Sequence, residues 1–160
     1  MNKLKFIRNN MYTIEQEQIV DKKLEDIFPF FTKHENLSLL TPSWLKFKIK
    51  KKSSENMEKN AEFVYTIKFH NIPMFWKTKI TKYESPHIFV DEQLSGPYKK
   101  WVHTHTFEAR GNSTVMYDKV EYDLYGWFLK SIIHKLFVKK SIKKIFEYRK
   151  TVLGEYFEQN

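Results

Sequence analysis

The sequence predicts an α+β fold in which a curved antiparallel sheet of about seven strands wraps on a long C-terminal helix. Apolar and polar residues alternate through most of residues 45–124, which is typical of strands with one buried face. Turn-forming residues interrupt this alternation at short intervals, so consecutive strands are expected to pair antiparallel. Beyond Gly126 the apolar period becomes helical and continues to residue 158.

The N-terminal part is predicted to form one strand and two short helices. Residues 11–20 alternate as a strand. Asp21 then offers an N-cap for a helix over residues 22–31, where leucine, isoleucine and phenylalanine recur at helical spacing. A second helix over residues 34–40 is expected to end before Pro42, because the residue preceding a proline is pushed out of the α region.

The middle of the chain is predicted to form six strands separated by breaks rich in Gly, Pro, Asn and Ser. They are expected at residues 45–50, 61–69, 74–84, 88–94, 99–109 and 114–124. With the first strand and a final amphipathic helix over residues 126–158, the order is β-α-α-β6-α. A strongly curved sheet around a single helix leaves a hollow between them, so we expect an internal cavity.

Length and composition limit the classes of protein that fit. A chain of 160 residues with 41% hydrophobic content can form one domain with its own core; we expect a flexible lead over residues 1–10 and a single domain over residues 11–160. The chain has no cysteine, which excludes disulfides, thiolate metal sites and cysteine nucleophiles. Since we find no signal-peptide core and no apolar stretch of about 18 residues, we expect a soluble cytoplasmic protein.

The net charge of +9 comes almost entirely from lysine. These lysines are spread along the chain and accompany no nucleic-acid-reading motif, so no nucleic-acid partner is expected. Several lie between the apolar positions of the last helix, where they could rest on an anionic membrane surface.

Alternation also assigns an inner face to each strand. In the strand of residues 99–109, the set that contains the two large aromatic side chains is taken as the inner one, and it carries two histidines. The inner residues singled out in this way are Tyr65, Ile67, Trp76, Thr78, Trp101, His103, His105, Asp118, Val120 and Tyr122.

In the strand of residues 88–94, either the even-numbered or the odd-numbered residues could face inward. We favour the set that contains Asp91 and Gln93, since the turn at Gly96 pairs this strand with the histidine strand and a buried imidazole needs a hydrogen-bond partner. The inner face then carries a polar patch composed of Asp91, Gln93, His103, His105 and Asp118.

Four motifs, in order along the chain, resemble a known superfamily. They are ENLSLLTPSWLKFKI, IPMFWKTKITKYESPHIFVDEQLSGPYKKWVHTHTFE, TVMYDKVEYDL and LFVKKSIKKIFEYRK. Together they are similar to the START-like, helix-grip superfamily, also called SRPBCC, and within it to a bacterial branch described as cyclase/dehydrase-like. The resemblance implies a helix-grip fold with a hydrophobic cavity; it implies no reaction, because the superfamily ranges from enzymes to carriers.

Three uses of the polar patch are open. Two histidines one residue apart on a strand project the same way and could bind a metal together with Asp118 or Asp91, but such pairs are common by chance, and we expect no metal and no cofactor. His103 or His105, oriented by Asp118 or Asp91, could instead be the acid or base of a cyclase or dehydratase. The use we favour is to orient the head group of an otherwise apolar ligand.

We therefore expect a protein that binds or transports a hydrophobic small molecule, which is lipid-like, isoprenoid or polycyclic. The cavity is expected to lie between the sheet and the C-terminal helix, with Leu136 and Phe137 closing it. Its predicted lining is Tyr65, Ile67, Trp76, Thr78, Gln93, Trp101, His103, His105, Asp118, Val120, Tyr122, Leu136 and Phe137.

Overall fold

Seven strands form one antiparallel sheet in the computed structural model, which describes residues 11–69, 71–126 and 134–159. The strands are β1 (Tyr12–Val20), β2 (Lys48–Lys52), β3 (Glu62–Phe69), β4 (Ile72–Glu84), β5 (Ile88–Ser95), β6 (Lys100–Arg110) and β7 (Ser113–Asp123). Their order is β1-β7-β6-β5-β4-β3-β2, so β2 to β7 follow one another as antiparallel neighbours and β1 closes on β7. The predicted α+β class and seven-stranded antiparallel sheet are confirmed. The predicted lead of residues 1–10 lies outside the described residues.

The helices are α1 (Leu24–Thr32), α2 (Asn36–Leu39) and α3 (Lys139–Gln159). A π-helical turn, His134–Val138, leads into α3. The prediction that Gly126 opens the last helix is wrong, because Gly126 has a φ of +90°, which glycine adopts readily and an α-helix does not contain. Residues 127–133 lie outside the described part of the chain. No helix within the described ranges is both long and apolar enough to cross a membrane.

Asp21 does not cap α1 as predicted. The N-cap is Lys23, which makes no side-chain cap hydrogen bond. The Asp21 carboxylate instead accepts a hydrogen bond from the Ser113 hydroxyl at 2.8 Å, and Thr114 Oγ1 donates to the carbonyl of Lys22 at 2.8 Å. Because these two contacts fasten residues 21 and 22 to β7, the helix begins later than the sequence pattern predicts.

The second strand begins later than its predicted start at residue 45. Ser43–Leu45 form a 3₁₀ turn, and Lys46 has a left-handed backbone with a φ of 47°. The Leu45 side chain is buried and lines an internal cavity. Pairing with β3 therefore starts only at Lys48, after this turn.

Irregular pairing between β4 and β5 accounts for part of the curvature of the sheet. The register shifts between Lys77 and Thr78 and again between Ile80 and Lys82. Such bulges bend a strand and increase its twist.

Two groups of buried side chains hold the helices on the sheet. One surrounds α1 and includes Phe28, Phe31 and Phe107, joined by Leu153 of α3. The other joins β1 and β7 to the first part of α3 and consists of Tyr12, Ile14, Val120, Tyr122, Leu124, Ile142 and Phe146. Members of both groups border an internal cavity, so the cavity lies between two packed regions of the core.

Candidate ligand-binding site

A cavity of about 370 Å³ lies between the concave face of the sheet and α3. This volume falls within the range of about 300–1,000 Å³ that is usual for small-molecule sites. Most of the wall is apolar. The strands contribute Phe63, Tyr65, Ile67, Trp76 and Trp101, and α3 contributes Ile142, Ile145 and Phe146.

One end of the cavity is polar, and strand pairing determines which residues meet there. Asp91 of β5 is paired with His103 of β6, and His105 of β6 is paired with Asp118 of β7. Directly opposed residues share a face of the sheet, so all four side chains point inward. Asp91, His103 and His105 line the cavity, whereas Asp118 does not reach its surface. We call these four residues the Asp–His cluster.

The two imidazoles of the cluster lie against each other between the two carboxylates. Their ring centroids are 3.8 Å apart. Asp118 Oδ1 lies 3.2 Å from His103 Nε2, with which it forms a hydrogen bond, and 2.6 Å from His105 Nδ1. The second contact is short but not in line, so His105 Nδ1 lacks a well-directed hydrogen bond to the described residues. On the other side, Asp91 Oδ2 lies 3.6 Å from His103 Nδ1 and 3.4 Å from His105 Nε2.

Burial and the contacts among the four side chains shift their pKa values in different directions. Burial lowers the pKa of His103 to about 4, and the neighbouring His105 contributes to the lowering. Burial also acts to lower the pKa of His105, but the Asp118 and Asp91 carboxylates outweigh it and raise that pKa above its ordinary value. Burial acts to raise the pKa of each carboxyl group, yet the histidines outweigh it, and the pKa of Asp118 falls well below its usual range.

Arg149 adds a positive charge to the cavity wall. It lines the cavity, and its guanidinium carbon lies 5.8 Å from the centroid of the Phe146 ring. Its charge also contributes to lowering the pKa of both carboxyl groups of the cluster. Arg149 follows Ile142 and Ile145 at helical spacing, so all three side chains share the cavity side of α3.

The structure brings part of the predicted wall to the cavity. The predicted residues that line it are Tyr65, Ile67, Trp76, Trp101, His103 and His105. Thr78, Val120 and Tyr122 face the same way but are fully buried and do not line the cavity. Val120 and Tyr122 are covered by the first part of α3 and by β1, and the Thr78 hydroxyl donates to the carbonyl of Glu92 at 2.9 Å.

The other predicted wall residues lie elsewhere. Gln93 fixes the turn between β5 and β6, since its Nε2 donates to the carbonyl of Tyr98 at 2.6 Å and its Oε1 accepts from the Tyr98 amide at 3.3 Å. Phe137 is 51% exposed and does not line the cavity. The side chain of Leu136 lies outside the described part of the chain.

Sequence reasoning missed a whole section of the wall, between α1 and β3. Its residues are Leu37, Leu40, Thr41, Leu45, Phe47 and Met57. The apolar members of this segment indicated burial, but nothing in their spacing shows which surface they cover. They close the side of the cavity next to β3.

Replacing Asp118 by asparagine is expected to lower the free energy of unfolding by about 1–3 kcal/mol, because a neutral amide removes the charged acceptor of the His103 hydrogen bond and the electrostatic attraction to His105. Urea denaturation at pH 7 measures the change. Glu108→Gln is the matched control: it makes the same chemical change at an exposed position of β6 and should stay within about 0.5 kcal/mol of the wild type. Equal midpoints for both variants would show that Asp118 does not stabilise the cluster.

A family model described as "Polyketide cyclase / dehydrase and lipid transport" matches residues 20–145 of the chain. This match includes the α1 and α2 region, strands β2 to β7 and the first part of α3. Among proteins with curated descriptions, none matches the sequence significantly.

Solved structures with the same architecture come from bacteria and plants. A START superfamily protein from Mycobacterium smegmatis is 13% identical, with a TM-score of 0.67 and coverage of 92% of this chain and 97% of that one. Norcoclaurine synthase from Thalictrum flavum, in complex with dopamine and hydroxybenzaldehyde, is 16% identical, with a TM-score of 0.65 and coverage of 91% and 87%. Major latex-like protein 151 from Panax ginseng is 8% identical, with a TM-score of 0.65 and coverage of 93% and 99%. At such identities the likeness establishes the START-like fold.

Proposed function

The chain belongs to the polyketide cyclase / dehydrase and lipid transport family, and we propose that it binds and carries a hydrophobic small molecule, which is lipid-like, isoprenoid or polycyclic. The observation that supports this most directly is the cavity itself, which has a mostly apolar wall and a cluster of charged and imidazole side chains on one part of it. Burial of the ligand would supply about 25 cal/mol per Å² of apolar area, offset by the cost of ordering.

The polar end favours a ligand with one oxygen-bearing terminus. Asp91 and His103 offer acceptor atoms to a hydroxyl group, and Arg149 offers donors to a carbonyl or carboxylate oxygen. All three residues line the cavity. The head group would thus lie against the Asp–His cluster and the apolar body between Trp76 and Ile145.

Native mass spectrometry of the gently purified chain tests the proposal. We expect a bound hydrophobic molecule, and we expect His103→Ala to weaken its retention without abolishing it, because most of the affinity comes from the apolar wall. His87→Ala, at an exposed position, is the control and should retain the ligand as the wild type does. Repeated recovery of empty protein, together with failure to bind the apolar dye ANS, would contradict the proposal.

One observation favours a second function, that of a cyclase or dehydratase. His103 forms a hydrogen bond with a carboxylate and also lines open cavity, so it has both an orienting partner and access to a substrate. Asp118 holds the Nε2–H of His103. His103 Nδ1 could then take a proton from a carbon of the substrate and pass it to a departing hydroxyl group, which leaves as water.

The two functions give different results with the molecule that copurifies. If His103 is catalytic, the molecule that copurifies with His103→Asn loses one water on incubation with the wild-type chain, while it stays unchanged on His103→Asn. A carrier releases it unchanged from both. Mass spectrometry of the extracted ligand distinguishes these outcomes.

We further propose that exposed lysines of α3 let the protein approach anionic lipid to collect or deliver its ligand. Replacing Lys140 and Lys144, both exposed, by alanine is expected to weaken binding to phosphatidylserine vesicles about 30-fold, since each lysine near an anionic surface contributes about 1 kcal/mol. The control is Lys48→Ala/Lys50→Ala, which removes the same charge from exposed positions of β2. Equal losses in the two double variants, measured by vesicle sedimentation, would rule out a specific role for α3.

A further inference from the structure

Three potential ligand atoms converge at the polar end of the cavity. Asp91 Oδ2 lies 3.6 Å from His103 Nδ1 and 3.4 Å from His105 Nε2, and one potential ligand atom from each of the three residues lies within 4.8 Å of the other two. Around a tetrahedral Zn²⁺ ion, with bonds of about 2.0–2.1 Å, neighbouring ligand atoms are about 3.3–3.4 Å apart. The spacing of these side chains is thus already close to that of a metal site.

Asp118 determines which ring nitrogens are available to a metal. A carboxylate oxygen only accepts hydrogen bonds, so the nitrogens that face Asp118 Oδ1, His103 Nε2 at 3.2 Å and His105 Nδ1 at 2.6 Å, must carry hydrogen. In the neutral rings the lone pairs then lie on His103 Nδ1 and His105 Nε2, the two atoms nearest Asp91 Oδ2. Three acceptors therefore face one another, and a cation between them removes the repulsion.

The burial and charge of the cluster match a divalent ion. The histidine side chains are 8% and 5% exposed, and those of Asp91 and Asp118 are 21% and 13% exposed. With neutral imidazoles the two carboxylates carry two negative charges, which attract a divalent cation; the Arg149 guanidinium adds one positive charge to the same wall. The outer contact of Asp118 with both rings is the arrangement that orients histidine ligands in zinc proteins.

We infer that Asp91, His103 and His105 form a site for one divalent transition-metal ion, and that Asp118 positions the two histidines. Two imidazoles and a carboxylate suit Zn²⁺, Co²⁺ or Fe²⁺ rather than Ca²⁺ or Mg²⁺, which prefer oxygen ligands. Because all three residues line the cavity, the remaining coordination position faces it. This inference departs from the expectation of no metal that we drew from the sequence. A bound ion would occupy the Asp91 and His103 atoms that are offered above to a ligand head group, so the head group would then lie against the ion.

Metal titration of the full chain after treatment with EDTA tests the inference. Calorimetry with Zn²⁺ is expected to give one ion per chain, and Co²⁺ is expected to give the visible absorption of a nitrogen and oxygen site. Asp91→Asn and His105→Gln should each abolish this binding. Asp118→Asn should keep the stoichiometry and lower the affinity about 10- to 100-fold, as loss of an outer partner does.

A second group of potential ligands provides the control. His34 Nε2 lies 3.0 Å from Glu35 Oε1, but the Lys52 ammonium lies 3.0 Å from the same nitrogen, which disfavours a metal ion there. His34→Gln should therefore leave Zn²⁺ binding unchanged. Binding that is lost in His34→Gln, or that persists in both Asp91→Asn and His105→Gln, would overturn the inference, and so would a wild-type chain that binds no Zn²⁺.

Nitrogen-15 NMR of the wild-type histidines provides a measurement that does not depend on how well the variants fold. Added Zn²⁺ is expected to shift His103 Nδ1 and His105 Nε2 and to leave the ring nitrogens of His34 in place. Shifts confined to His34, or no shift in any of these rings, would exclude the site.

Discussion

Phe107→Ala is expected to lower the free energy of unfolding by about 3–5 kcal/mol, as deletion of a buried phenylalanine ring does in other cores. Phe107 is 1% exposed. Its ring meets those of Phe28 at 5.4 Å, Phe31 at 5.2 Å and Phe89 at 6.0 Å, measured between centroids. Three elements, α1, β5 and β6, therefore lose a common contact. Since a domain is stable by only about 5–15 kcal/mol, this loss is a large fraction of the total.

Urea denaturation, with Phe75→Ala as control, measures this effect. Phe75 is 72% exposed, so its replacement should change the free energy of unfolding by no more than about 0.5 kcal/mol. Phe107 does not line the cavity, so the folded fraction of Phe107→Ala should still bind ligand as the wild type does. If the two variants have similar midpoints, the packing of α1 on β6 is not a main source of stability.

Local sequence patterns were sufficient for the order of the elements and for the inner face of most strands. Alternation carries that information because successive side chains on a strand point to opposite faces. It also led to Asp91, through the requirement that a buried imidazole have a partner, and the structure places Asp91 beside both histidines.

The same patterns did not predict which inward-facing side chains line the cavity and which are buried in the packed core. Val120 and Tyr122 have the predicted orientation but do not line the cavity, because side chains of the neighbouring strand β1 and of α3 pack against them. The pairing of β1 with β7 joins residues about a hundred positions apart in sequence, and neither the alternation nor the turns within a segment reveal it. The extent of the cavity depends on such long-range contacts.

At the polar end of the cavity, too, the sequence predicted some features and the folded structure was needed for others. The spacing of His103 and His105 on a strand predicted that both rings point the same way. The convergence of Asp91 Oδ2 on one nitrogen from each ring depends on the register between β5 and β6, and Arg149 joins them only through the packing of α3. Register and packing are properties of the folded chain, so the cluster could be suspected but not described from the sequence.

Ile67→Trp is expected to weaken the binding of the hydrophobic ligand by about 100-fold or more. Ile67 of β3 lines the cavity, and a tryptophan there occupies space that the ligand needs. If the indole displaces about four methylene groups of ligand, each contributing about 0.8 kcal/mol, the loss is about 3 kcal/mol. The new side chain extends into open space rather than into packed core, so the free energy of unfolding should change by less than about 1 kcal/mol.

Thr66→Trp is the matched control, because it adds an indole to the same strand at a position that does not line the cavity. It should bind ANS, and the ligand found by native mass spectrometry, as the wild type does. Fluorescence titration with ANS compares the three proteins, and urea denaturation verifies that both variants are folded. Equal affinity of the wild type and Ile67→Trp would mean that the ligand does not occupy the cavity. That result would contradict the carrier function proposed for this domain.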